Sequence, residues 1–123
     1  MKDKQQQLSD DMKKYLRFLN EYKRFVGMSD WNIILTPEVK ELGEDIHATI
    51  EPNIFDQTAT VELASQFMSL DDVKKVNVLF HELVHCRQRI FVLKCEELTE
   101  SEEEYLVNDI VRGFEKLDCL KFS

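Results

Sequence analysis

At 123 residues, 43% of them hydrophobic, the chain has the size of one domain with one core, which argues against extensive disorder and against a separate regulatory domain. A formal charge of −8, from 24 acidic against 16 basic residues, repels phosphate backbones and so disfavours nucleic acid as a partner. The polar start MKDKQQQLSDDMKK lacks a signal-peptide core, and no apolar run nears the roughly 20 residues of a membrane span, so a cytoplasmic chain without a membrane partner is expected.

Leu8, Met12, Tyr15, Leu16, Leu19, Tyr22 and Val26 recur at steps of three and four. They predict an amphipathic N-terminal helix that stops near Gly27, a residue suited to a left-handed C-terminal position. Lys13, Lys14, Arg17, Lys23 and Arg24 are interleaved with these residues and read as its solvated face. DWNIIL, from Asp30 to Leu35, reads as a strand running into Pro37, and Glu38 to Asp45 as a charged connection. Ile46, Ala48 and Ile50 alternate with His47, Thr49 and Glu51, the pattern of a second strand ending at Pro52. A third is expected over Thr58 to Ala64, joined to the second by PNIFDQ, a connection of hairpin size.

Ser69 followed by Asp72 resembles a capped helix start, and Val73, Val76, Phe80, Leu83 and Val84 continue at helical spacing to about Val92. A last helix is expected from Thr99, with Leu106, Ile110, Phe114 and Leu117 as its apolar stripe. The whole is one α+β domain over residues 1–123: an N-terminal helix, a small, mostly antiparallel three-stranded sheet, and two further helices.

Chemistry concentrates in VLFHELVHCR, where His81 and His85 stand four residues apart within the second expected helix. Four residues is little more than one turn, so both imidazoles project from one side and can grip one ion at about 2.0–2.1 Å. Glu82 lies one step round the helix, better placed to take a proton from a water than to reach the ion. Two imidazoles with a carboxylate suit zinc, one ion per chain.

A catalytic zinc site usually has three protein ligands, and no histidine follows His85. Cys86 points about 100° away round the helix and is expected to pack as a small hydrophobe. Cys86, Cys95 and Cys119 form no CxxC pair, which fits a reducing compartment. The acidic run EEEYLVND offers Glu104 as the third ligand, with Asn108 one turn on to hydrogen-bond it. Glu103 and His47 are the alternatives; the alternation of IHATI favours an exposed strand position for His47. Asp109 could support a ligand as Asn108 does, and Tyr105 and Arg89 are candidate transition-state stabilisers to which no role is assigned.

HELVH followed by a downstream glutamate resembles the zincin metallopeptidases, and a glutamate third ligand resembles the gluzincin group among them. DWNIIL, the expected sheet, HELVH and EEEYLVNDI together look like the small metallopeptidases of phages and prophages, over about residues 30–115. The resemblance implies a minimal zincin-like fold that hydrolyses a peptide or protein substrate, with Glu82 as general base. It also implies an edge strand before the helix, Thr58 to Ala64, to which the substrate adds by backbone pairing. The pattern departs at Arg87, where such helices usually carry an apolar residue, and at Asn108, where an acid often follows the third ligand. Two other readings fit the sequence: a catalytically silent zinc-binding interaction module, and a metal-free helical partner protein.

Overall fold

A computed structural model describes residues 4–95 together with Glu104, Val107, Asn108, Val111 and Phe122. Helix α1 (Lys4–Tyr22) continues into a 3-10 turn over Lys23–Val26. Gly27 closes that turn at φ 76°, in the left-handed region, and its N–H bonds back to Arg24 and Lys23 carbonyls. Met12, Tyr15, Leu19 and Tyr22 are buried as the periodicity predicts, and Phe18 joins them. The buried amine of Lys75 bonds the Tyr15 hydroxyl at 2.9 Å, so the one buried lysine among the described residues is not left without a polar partner.

Three strands follow: β1 (Asn32–Lys40), β2 (Ala48–Asn53) and β3 (Thr58–Ala64). The third has the expected bounds. The first runs past Pro37 to Lys40, because the ladder with β3 shifts register between Leu35 and Val39 and the proline falls in that irregularity on an edge strand. The sheet order is β1-β3-β2, with β2 antiparallel to β3 and β1 parallel to it. It is therefore mixed. The turn over residues 54–57 folds β3 back along β2, with Gln57 at φ 55° and Asp56 Oδ1 accepting from Thr58 N at 3.2 Å. The chain has then reversed twice, so β3 lies beside β1 in the same direction.

This order corrects the expected position of Thr58–Ala64. It is the central strand, and the edge strand next to the third helix is β2. Ala48 and Ile50 of β2, with Ala59, Val61 and Leu63 of β3, point into the core.

A short helix, α2 (Ser65–Met68), leads to α3 (Asp72–Cys95), which packs on β2 and α1. Its cap is Asp71, whose Oδ1 accepts from Lys74 N at 2.8 Å. Ser69, the expected cap, instead donates to the Gln66 carbonyl at 2.8 Å, because α2 ends there. Leu79, Phe80, Leu83 and Val84 are buried, while Val73 is exposed. Glu104, Val107, Asn108 and Val111 are helical, with Val107 and Val111 joining the core. The expected helix start at Thr99 and its residues Leu106, Ile110, Phe114 and Leu117 lie outside the described residues. Among the described residues, no helix is long and apolar enough to cross a membrane.

Candidate metal centre

One face of α3, beside its core stripe, carries Asn77, His81 and His85, spaced four residues apart. The two imidazoles lie with ring centroids 4.8 Å apart and planes at 64°. Their Nε2 atoms converge on one carboxylate: Glu104 Oε1 is 3.3 Å from His81 Nε2, and Glu104 Oε2 is 2.5 Å from His85 Nε2. His81, His85 and Glu104 thus offer three ligand atoms within 4.8 Å of one another, a group that could hold a metal ion.

The donor set fits. Ligand atoms bound tetrahedrally at about 2.0–2.1 Å lie about 3.3 Å apart, which the His81–Glu104 separation of 3.3 Å matches. The shorter His85–Glu104 contact is a direct imidazole–carboxylate hydrogen bond. Burial, and then the neighbouring His85, hold the His81 imidazole below its ordinary pKa, against an opposing pull from Glu104. That favours the neutral, metal-ligating form.

His47 does not belong to this group. It is partly buried in the bend before β2 rather than exposed on a strand, and its carbonyl accepts from Ala64 N at 2.8 Å. The alternation in IHATI begins two residues too early, at Ile46, since the ladder starts at Ala48. Glu103, Tyr105 and Asp109 lie outside the described residues.

Glu82 faces the groove between α3 and β2 and lines both cavities that open there. The first, about 480 Å³, is walled by His81, Glu82, Asp45, His47, Asn77 and Asn108, among others. The second, about 290 Å³, is walled by Glu82, His85, Thr49, Glu51 and Arg89, among others. Ile46 and Ala48 line both. Desolvation pushes the Glu82 carboxyl up to about 7, with Glu104 adding to the rise and His85 opposing it. A carboxylate with that affinity accepts a proton far more readily than an exposed glutamate does.

Cys86 is buried and packs in the core, as expected. Burial first, and then Glu51 and Glu82, push its thiol up to about 12, so it stays protonated and supplies no thiolate ligand. Asn108 lines the first cavity and Arg89 the second. Asn77 was open to the sequence, standing one helical turn before His81; Asp45 and Ile46 come from a loop whose composition carries no such signal. Comparison with protein-family models, with curated proteins and with solved structures gives no match for this chain.

Proposed function

We propose that the chain is a zinc-dependent metallopeptidase of zincin type, with the ion held by His81, His85 and Glu104 and with Glu82 as general base. The observation that carries the reading is the convergence of three ligand atoms beside a carboxylate that faces the same groove without joining them. Zinc in such a site supplies Lewis acidity, polarising a carbonyl and lowering the pKa of a bound water to about 7.

The remaining work falls to the chain. Glu82 takes the proton of the attacking water and returns it to the departing amine. Its carboxylate is placed for both transfers, since it faces the groove beside the three ligand atoms without being one of them. An extended substrate lies along β2, whose one ladder partner among the described residues is β3, and pairs with its outer edge. Asn108 and Asn77 border that path with carboxamides able to hydrogen-bond a peptide.

The experiment is elemental analysis of zinc per chain, paired with a cleavage assay on a denatured protein such as casein. Near one zinc in the native chain, its loss in Glu104→Ala, and zinc retained without cleavage in Glu82→Gln are the expected results. A native chain that takes up no zinc when zinc is supplied overturns the reading. Zinc at one per chain without cleavage leaves a zinc-binding interaction module.

A further inference from the structure

Ile46 lines both cavities of the groove, together with Ala48 and Glu82. It is 40% exposed, whereas the neighbouring Ala48 is 5% exposed. Its position is nevertheless fixed from two sides. The Gln66 carboxamide nitrogen donates to the Ile46 carbonyl at 2.6 Å, to the Gly43 carbonyl at 2.6 Å and, more weakly, to the Glu44 carbonyl at 3.3 Å. Gly43 has φ 117°, and a Cβ placed there would lie 3.5 Å from Ile46 Cδ1. The Ile46 side chain therefore lies on the side of the loop toward which a Gly43 side chain would point. A loop tied through three carbonyls to one side chain is a poor candidate for a mere connection, since a surface loop can satisfy its carbonyls with water.

The two cavities that Ile46 lines differ in charge. Among the described residues, the first is lined by the carboxylates of Asp45 and Glu82 and by no lysine or arginine. The second contains Arg89 together with Glu51. Glu82 is common to both; Asp45 adds a negative charge to the first, whereas Glu51 and Arg89 offset one another in the second. The described lining of the first cavity is therefore the more acidic by one charge, and favours a cationic side chain more than the second does.

We propose that Ile46, clamped by Gln66, is a specificity ridge that splits the groove into two side-chain subsites and directs a lysine or arginine of an extended peptide into the Asp45 subsite. The inference rests on reading the groove as the peptide path and names the substrate class that this path selects. Ile46 and Gln66 contribute no ligand to the metal group. Their role is discrimination: Ile46 acts on the peptide directly, and Gln66 acts through Ile46 as a positioning residue.

The test uses zinc-loaded Glu82→Gln protein, which binds without cleaving, to select from a synthetic random hexapeptide library read by mass spectrometry. The selected peptides are expected to carry lysine or arginine at one position roughly three- to fivefold above input, the scale of a solvent-exposed ion pair. Adding Asp45→Asn should remove that enrichment. Adding Ile46→Ala should flatten the preference at that position and its neighbour, and Ile46→Val should retain it. Gln66→Glu, equal in shape but lacking the amide donor, should flatten it with Ile46 still present and zinc content unchanged. A purely structural Gln66 would lower stability and leave the selected sequences alike.

Enrichment that ignores charge, a profile unaltered by Asp45→Asn or Ile46→Ala, or no enrichment at all overturns the proposal. Selection of basic peptides that the native chain does not cleave supports the ridge while overturning the peptidase reading. Cleavage by the native chain without side-chain preference does the reverse.

Discussion

Glu82 is surrounded by groups that pull its proton affinity in opposite directions, and the balance has a measurable consequence in the metal-free protein. Desolvation lifts its pKa from 4.5 to about 7. A carboxyl raised in the folded state contributes stability that is complete below about pH 4.5 and is lost as pH rises to about 7. His81, held low, acts in the opposite sense, its contribution disappearing as pH falls below its ordinary 6.5. The difference between native and Glu82→Gln protein isolates the glutamate. Urea unfolding of both, stripped of metal, should show the variant gaining on the native chain between pH 4.5 and 7. The gain at pH 8 should be on the order of 1–3 kcal/mol, allowing for partial solvent access. A constant difference across that range would mean that the carboxyl is not desolvated. In the zinc-loaded protein the same variant should lose roughly 10²- to 10⁴-fold in cleavage rate while keeping its zinc, because general-base contributions are of that size. At this scale His81, Glu82 and His85 were legible in the sequence, because helix geometry alone puts a four-residue spacing on one face. Ile46 was not. Its role depends on where a loop is tied, and the tie comes from Gln66, 20 residues away.

At the scale of elements, periodicity found α1, β3 and the body of α3, because burial of one face imposes its repeat directly on the residues. What it could not supply was which strands pair. The alternation of Ala48 and Ile50 is the same whether β2 lies in the middle of the sheet or at its edge. Only the β1-β3-β2 order makes it the border of the groove, and that order arises from β3 entering between two strands already formed in sequence. The cap was misplaced for a related reason. Both Ser69 and Asp71 are capping residue types, and α2, too short to show a period, takes the serine for its own end. Asp71→Ala should therefore destabilise the protein by about 1 kcal/mol, as loss of an N-cap usually does, while Ser69→Ala should cost less. Chemical denaturation at neutral pH measures both. An equal loss would show that the start of α3 depends on both side chains.

At the scale of the whole molecule, the metal group joins parts of the chain that are distant in sequence. His81 and His85 come from a helix seated on the sheet, and Glu104 comes from the helical segment whose Val107 and Val111 close the core. An ion held by all three cross-links that segment to α3, so binding and folding are thermodynamically linked. For a site that binds only the folded chain, zinc at 100 times its Kd adds about 2.7 kcal/mol. For a chain of this size that corresponds to a rise in Tm of roughly 10 °C. Glu104→Ala should lose most of that rise yet unfold at nearly the native temperature without zinc, because the exposed carboxylate contributes little packing. His85→Ala should lose it as well. Scanning calorimetry of the three proteins, with zinc and with chelator, separates a ligand from a structural residue. If Glu104→Ala were destabilised equally in both conditions, the carboxylate would be a plain hydrogen-bond partner of the two imidazoles.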